Sequence, residues 1–342
     1  MDKMEYRNWV ASKLNIGKEV LYLTKDECVN SGITFEEIIE MTERSLVAHG
    51  KKELDMPAKI GLHPYHNTFM HAMPCYIPSE FTMGIKWGGC FPENRTKFGL
   101  TQLSGLYITN DPETGWPLAI MDCIWLTAMR TPAVTAVAAK YMTFPDKVAT
   151  FGMIGCGAQG YGHIQYVPKT LPNLKKIFIY DVFEPAMDRV VNDLQATTQA
   201  KIVKCKSLEE LVKSSEAIAS ATIITAQPEP KIKDEWISKG QTILMCDCHS
   251  LYEDKTMKRA DKYYVDSIDQ HTLLAGYGYY PDGLPEVFAE TGEVVAGLKK
   301  GRDNSEQLIV DNNVGLAAED IPLARAIFDK ALQTGTGRKL PL

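Results

Sequence analysis

Residues Ala149–Val167 read "ATFGMIGCGAQGYGHIQYV": an apolar run, a glycine turn, then the opening of a helix. Gly155, Gly157 and Gly160 form the pattern G-C-G-A-Q-G. In such a pattern the first glycine permits a tight turn and the second lets backbone approach a pyrophosphate. The third allows the helix to close on its strand. The helix N-terminus then presents N–H groups and a positive dipole end to phosphate. One βα unit later, "KIFIYD" ends in Asp181. An acid there accepts hydrogen bonds from ribose hydroxyls and repels a 2′-phosphate, so the pattern predicts NAD rather than NADP. The competing reading, glycines that merely shape a turn and an Asp181 that caps a helix, leaves the agreement of these signals unexplained.

This element begins almost halfway along a chain of 342 residues, a length that predicts two domains. The formal charge of −6 arises from 43 acids and 37 bases without long runs of one sign. That balance argues against nucleic acid or an anionic membrane as partner. The start "MDKMEYRNWVASK" lacks the apolar core of a signal peptide. "PLAIMDCIWLTAM" is broken by Asp122, short of the ~18 apolar residues that a membrane helix needs. Eight scattered cysteines make no compact disulfide framework, so free thiols and a cytoplasmic location are expected.

Upstream, "TFEEIIEMTERSLVAHG" spaces its apolar residues along one helical face, with Thr34 and Glu37 as a capping box and Gly50 at its end. Between Asn67 and Ile120 the pattern changes to strands: "TFMHAMPCYI", "TMGIKWGG", "LSGLYIT" and "PLAIMDC". "NDPETGWP" joins the last two as a hairpin. "LTAMRTPAVTAVAAKYM" predicts a long buried helix, with Pro132 near its start or at a kink. From Lys147 to about Ser267, "VATFGMIG", "KIFIYD", "EAIASATI", "QTILMCD" and "KYYVDS" alternate with helical stretches. That alternation predicts a parallel sheet with covering helices. The tail from Asn312 predicts an amphipathic helix outside the βα pattern, packed back on the N-terminal part.

Several residues carry candidate chemistry. Lys86, in "MGIKWGGCFPEN", lies between Ile85 and Trp87 before two glycines, unlike an ordinary solvated lysine. Arg130 interrupts an apolar helix, so it must be paired or line a cleft. Asp247 ends the run "QTILMCD", and carboxyl ends of parallel strands form the ligand crevice of doubly wound sheets. It reads either as a base beside a nicotinamide or as a helix cap. "CDCH", Cys246–His249, suggests a metal, but a zinc site wants a second ligand pair and none is evident, so no metal is expected.

Taken in order, Lys86 in "GIKW", "SGLYITNDPETGWPLA", "LTAMRTPAVTAVAA", "FGMIGCGAQ", Asp247, "LPEVFAETGEVVAG", "GRDNSEQ" and "VGLAAEDIPLARAIFDKA" resemble the ornithine cyclodeaminase/μ-crystallin family over almost the whole chain. The resemblance implies a Rossmann-type doubly wound domain over residues 126–312. It also implies an α+β substrate and dimerisation domain from residues 1–125 and 313–342. It implies a homodimer through the N-terminal strands and NAD-dependent chemistry at the α-carbon of an L-amino acid, of the ornithine cyclodeaminase type first, with an imine reductase or amino-acid dehydrogenase and a non-catalytic binding protein as the alternatives.

In cyclodeaminases of this type, oxidation to an imine is followed by attack of a side-chain amine, loss of ammonia and return of the hydride, so that ornithine gives proline. Imine reductases and amino-acid dehydrogenases of the family make net NAD(H) turnover instead, and crystallin-like members bind a nucleotide or small ligand without catalysis. The family reading implies that Lys86, Arg130 and Lys59 hold the substrate carboxylate and that Asp247, with Lys86, handles protons. It assigns the cofactor to Arg130, Thr131, Gly155, Gly157, Ala158, Gln159, Gly160, Asp181, Val182, Ala221 and Thr222. His71, Gln102 and Val314 are implied at the substrate. The sequence departs from the family pattern at Gln102, at Asn312 and Asn313, and at His71, which stands where a cyclodeaminase acid would meet the ornithine side-chain amine.

Overall fold

The computed structural model describes residues 2–224 and 228–342. The chain divides into two compact units, one of Met1–Arg130 with Leu316–Leu342 and one of Thr131–Gly315. The first boundary falls inside a single helix, Ile124–Met142. Pro132 is interior to that helix rather than at its start. There its ring can offer no N–H to the preceding turn, and the helix continues past it.

Among the described residues, the first unit holds a seven-stranded sheet. Its strands are β1 (Glu19–Leu23), β2 (Ile60–Leu62), β3 (Phe69–Ile77), β4 (Thr82–Cys90), β5 (Leu103–Asn110), β6 (Pro117–Asp122) and the C-terminal Arg338–Pro341. In space the order runs Arg338–Pro341, β1, β6, β5, β4, β3, β2. The expected β5–β6 hairpin is present: the Asp111 and Trp116 backbones bond at 2.8 Å, and the Asp111 carboxylate accepts from Thr114 and from Arg7. The helix Phe35–Gly50 begins with the expected capping box, Thr34 and Glu37 bonding reciprocally to each other's backbone. β1, β2 and the C-terminal strand were not apparent from the pattern, being short or lying at sheet edges.

The C-terminal helix Ala317–Thr334 packs on the helix Phe35–Gly50 and on β3, β4 and β5. It buries Ile321, Ala324, Ile327 and Phe328 on that side. Burying a Phe or Ile side chain contributes about 1.5–3 kcal/mol, which is what holds this helix to the sheet.

The second unit carries β7 (Thr150–Ile154), β8 (Lys176–Tyr180), β9 (Lys201–Lys204), β10 (Ala217–Ser220), β11 (Thr242–Met245), β12 (Lys262–Val265), β13 (Ala289–Glu290) and β14 (Ile309–Asn312). All pairings are parallel, in the order β13, β12, β14, β11, β10, β7, β8, β9. From β7 the chain builds outward to β9, then returns to the other side at β10. This is a doubly wound sheet of Rossmann type, with its topological switch between β7 and β10. β10, β11, β12 and β14 are buried at every residue, as strands covered on both faces are.

Candidate active site

In the second unit, Gly155 follows β7 and Gly157 caps the helix Ala158–Tyr166 without a side-chain capping bond. Gly155 has φ 91°, and a Cβ there would press on the Ala221 carbonyl at 2.7 Å. A Cβ on Gly160 would collide with the Gly155 carbonyl. Only glycine fits either position. A Cβ at Gly157 would meet nothing within 4 Å, and Gly157 and Ala158 are exposed. The turn thus leaves backbone open at a helix N-terminus, the arrangement a pyrophosphate requires.

Asp181, just beyond β8, accepts from the Cys156 N–H at 2.6 Å and the Phe183 N–H at 2.8 Å. Its carboxylate is therefore fixed to the glycine turn itself. Val182 beside it is 93% exposed, so the second strand ends at an open surface. Gln159 contributes its carbonyl to His163 Nδ1 at 2.8 Å, which leaves His163 Nε2 to accept from Thr135. Burial pushes the His163 imidazole down to about 4, so it stays neutral there. Thr131 is half-buried in the helix Ile124–Met142.

Asp247 follows β11 and is wholly buried. Its Oδ1 accepts from the Ser220 hydroxyl at 2.7 Å, and its Oδ2 accepts from the Thr222 hydroxyl at 2.8 Å and N–H at 3.1 Å. Burial raises its pKa above the usual carboxylate range, and these bonds oppose the rise. Ala221 and Thr222 thus lie on the turn after β10, adjacent to both the glycine turn and the carboxylate. Ser220 had no signal of its own in the sequence, because a serine ending an apolar strand has many ordinary uses.

Cys246 Sγ lies 3.2 Å from the Thr135 hydroxyl, whereas Cys248 Sγ is 3.5 Å from the Tyr280 hydroxyl. The cysteines of "CDCH" turn to different neighbours. Val314 packs against Cys248, Leu274, Tyr279 and Tyr280. Next to it, Asn312 donates to the Tyr263 and Tyr280 hydroxyls, and Asn313 donates to Asp311 at 2.7 Å.

In the first unit, Lys86 projects from β4 and is 4% exposed. Its Nζ lies 2.6 Å from Asp320 Oδ2. Arg130 donates from Nε to Asp320 Oδ1 at 3.1 Å and from Nη1 to Glu319 Oε2 at 2.8 Å. Two of the three cations expected at a substrate carboxylate, Lys86 and Arg130, are thus joined through one aspartate. Burial lowers the Lys86 pKa, and Asp320 counters that shift. Glu319 and Asp320 escaped the sequence reading, yet a signal existed. Asp320 lies on the stripe Ala317, Ala324 and Phe328 of an otherwise apolar helix face, where an acid demands a partner.

Lys59 is buried just before β2. His71 on β3 stacks on Phe69 at 4.2 Å between ring centres and meets His63 edge-on at 5.8 Å. Burial, then the charges of Lys59, His63 and Lys86, push the His71 imidazole down to about 3. Gln102 is exposed at the step before β5, its carbonyl accepting from the Phe91 N–H, whereas Lys86 is buried.

The profile of the ornithine cyclodeaminase/mu-crystallin family matches residues 20–335. The chain belongs to that family. It is 30% identical over 333 residues to alanine dehydrogenase of Archaeoglobus fulgidus, covering 94% of this chain and 98% of that protein. The structure of Thermococcus litoralis Δ1-pyrroline-2-carboxylate reductase in complex with NADH and L-proline is 29% identical, with a TM-score of 0.81 over 93% of this chain and 99% of that one. An archaeal alanine dehydrogenase dimer with bound NAD is 28% identical, with a TM-score of 0.83 over 94% of this chain and 99% of that one.

Proposed function

We propose that this family member is an NAD(H)-dependent amino-acid dehydrogenase or imine reductase, acting at the bond between an α-carbon and its nitrogen. The observation that carries this reading is Asp247. It is a buried carboxylate of raised pKa at the carboxyl end of a parallel strand, held by hydroxyls at the end of β10, beside the strand that bears the glycine turn. The glycine turn, with Ala158, Gln159, Thr131, Asp181, Val182, Ala221 and Thr222, would hold the dinucleotide, and Asp181 would select NAD. NAD, when bound, supplies the acceptor or donor of a hydride.

Lys86 and Arg130, with Lys59, would receive the substrate's α-carboxylate through charge-assisted hydrogen bonds. In the oxidative direction the Cα–H bond breaks and its electron pair leaves as hydride. The amine gives up a proton, Asp247 takes it, and the C=N bond forms. Water then releases an oxo acid and ammonia. A pKa raised by burial makes Asp247 a stronger base than an ordinary carboxylate, which suits it to take that proton. Val314 and the asparagines before it would shape the nicotinamide end, whereas exposed Gln102 would contribute at most at the entrance.

Cyclodeamination would require an acid to hold a distal amine, and the family resemblance implies His71 at roughly that position, within reach of the charges of Lys59 and Lys86. This favours net redox turnover over the lyase reaction. A purely binding role would leave Asp247 without a task. The dehydrogenase and reductase similarities support the same choice.

The sheet side opposite Lys86 exposes Trp87 and Leu106, which pair across β4 and β5, together with Ile60 and Leu62. An exposed apolar face of this kind supports a homodimer through these strands, in keeping with the dimer of the archaeal relative. All eight cysteines are free, which suits a reducing compartment, the cytoplasm. The test is incubation with NAD and a panel of L-amino acids, following NADH absorbance and product mass. NADH with an oxo or imino product supports the proposal. Proline and ammonia from ornithine without NADH would make the protein a cyclodeaminase. Silence here, and with NADH and imines, would leave the binding role.

A further inference from the structure

Two successive peptides of the glycine turn are held from the side of β8 and the helix that follows it, Glu184–Leu194. The Gly155–Cys156 peptide gives its N–H to Asp181 Oδ2 at 2.6 Å. The next peptide, Cys156–Gly157, offers its carbonyl to Arg189, which donates from Nη2 at 3.1 Å. All these residues belong to the unit Thr131–Gly315.

Helical spacing brings the arginine to the turn. The helix Glu184–Leu194 buries Met187, Val190 and Leu194. Arg189 and Asp193, four residues apart, share a neighbouring face. Both meet Tyr161 in the helix Ala158–Tyr166. The guanidinium carbon of Arg189 lies 5.4 Å from the ring centre, and the phenol donates to Asp193 at 3.5 Å. Arg189 is exposed, yet it is held between a ring and a carbonyl.

In a trans peptide the C=O and N–H point in opposite directions. A Cys156 carbonyl turned to Arg189 therefore turns the Gly157 N–H away from it, at the exposed entry to the helix Ala158–Tyr166. A cationic donor on that carbonyl also polarises the peptide and strengthens its N–H as a donor. The Gly155 N–H goes to the Tyr180 carbonyl and the Cys156 N–H to Asp181, which leaves the Gly157 N–H as the next in line for a phosphate. The Cys156 thiol feels both charges: burial and then Asp181 raise it to about 12, and Arg189 opposes them. A pyrophosphate coming to this turn meets the same pair.

We infer that Arg189 is a positioning residue for the dinucleotide: by holding the Cys156 carbonyl it aims the Gly157 N–H at the pyrophosphate, and its charge offsets the repulsion from Asp181. This rests on the reading of the glycine turn as the dinucleotide site.

The test is the Kd of the full chain for NAD, ADP and adenosine by titration calorimetry, in the wild type, Arg189→Met and Arg189→Lys. Arg189→Met should raise Kd about tenfold for NAD and for ADP, the worth of a charge-assisted hydrogen bond, and leave adenosine, which has no phosphate, unchanged. Unchanged adenosine binding also shows that the variant is folded. Arg189→Lys, which keeps a charged donor without the planar fork, should recover most of the loss. An unaltered NAD affinity in Arg189→Met would overturn the inference. So would an equal loss for adenosine, which would put the arginine against the adenine or its ribose. A wild-type protein that binds neither NAD nor ADP would overturn the dinucleotide reading and the inference with it.

Discussion

Asp320 joins two buried cations of the first unit, one carboxylate oxygen 2.6 Å from Lys86 Nζ and the other 3.1 Å from Arg130 Nε. Burying a lysine and an arginine is tolerable because this aspartate and its neighbour Glu319 oppose them. Replacing Asp320 by Asn leaves two buried cations facing a single acid. Asp320→Asn should therefore cost about 3 kcal/mol or more of stability, read as a fall in the denaturant midpoint. A change within the ~0.5 kcal/mol of an ordinary surface substitution would mean that the pair is unimportant to the fold.

Asp247→Asn keeps the shape and an acceptor for the Ser220 or Thr222 hydroxyl but cannot carry the proton. The expected result is a fall in kcat of roughly 100-fold or more, with NAD affinity changed little. Loss of NAD binding in parallel with activity would instead make Asp247 an anchor for the turn after β10.

Asp181 accepts two backbone N–H bonds and stands after β8, where it would meet the ribose. Asp181→Ala should weaken NAD about tenfold, the worth of a charge-assisted hydrogen bond, and narrow the gap to NADP. An unchanged ratio of the two KM values would remove the proposed selection.

Asp311 on β14 is wholly buried, and burial pushes its pKa up to about 7 against hydrogen bonds from Thr291 and Asn313. Its folded pKa is thus above its unfolded one. The stabilisation is complete below the ordinary carboxylate range of about 4 and is lost as pH rises through 7. Thermal stability should decline over that window, and Asp311→Asn should flatten the decline. A wild-type curve with no such decline would show that Asp311 is ionised in the folded protein.

Trp87 and Leu106 pair directly and remain 41% and 45% exposed. Leu106→Glu should convert a dimer to a monomer in light scattering while leaving the circular dichroism unchanged. A wild-type monomer would remove the interface.

The glycine turn and its strands were legible because they are local: three glycines, an apolar run and an acid one βα unit later leave few other foldings. The hairpin at Asp111 and the capping box at Thr34 were legible for the same reason. β14 was not, since "IVDN" is short and enters the sheet between β11 and β12, an order that chain sequence does not reveal. Lys86, Arg130 and Asp247 stood out as charges in apolar surroundings, which must be answered by something. What answers them lay beyond reach, because Arg130 and Glu319 are separated by 189 residues, and Ser220 and Asp247 by 27.

By itself, the sequence determined the dinucleotide turn, the strand alternation and the demand for partners at buried charges. These follow from the spacing of a few residues along one segment. Tertiary structure alone decided that Asp320 is shared between Lys86 and Arg130, and that His71 lies over Gly61, stacked on Phe69. Such pairings depend on which strand stands beside which, and on a helix from the end of the chain returning to a sheet made near its beginning.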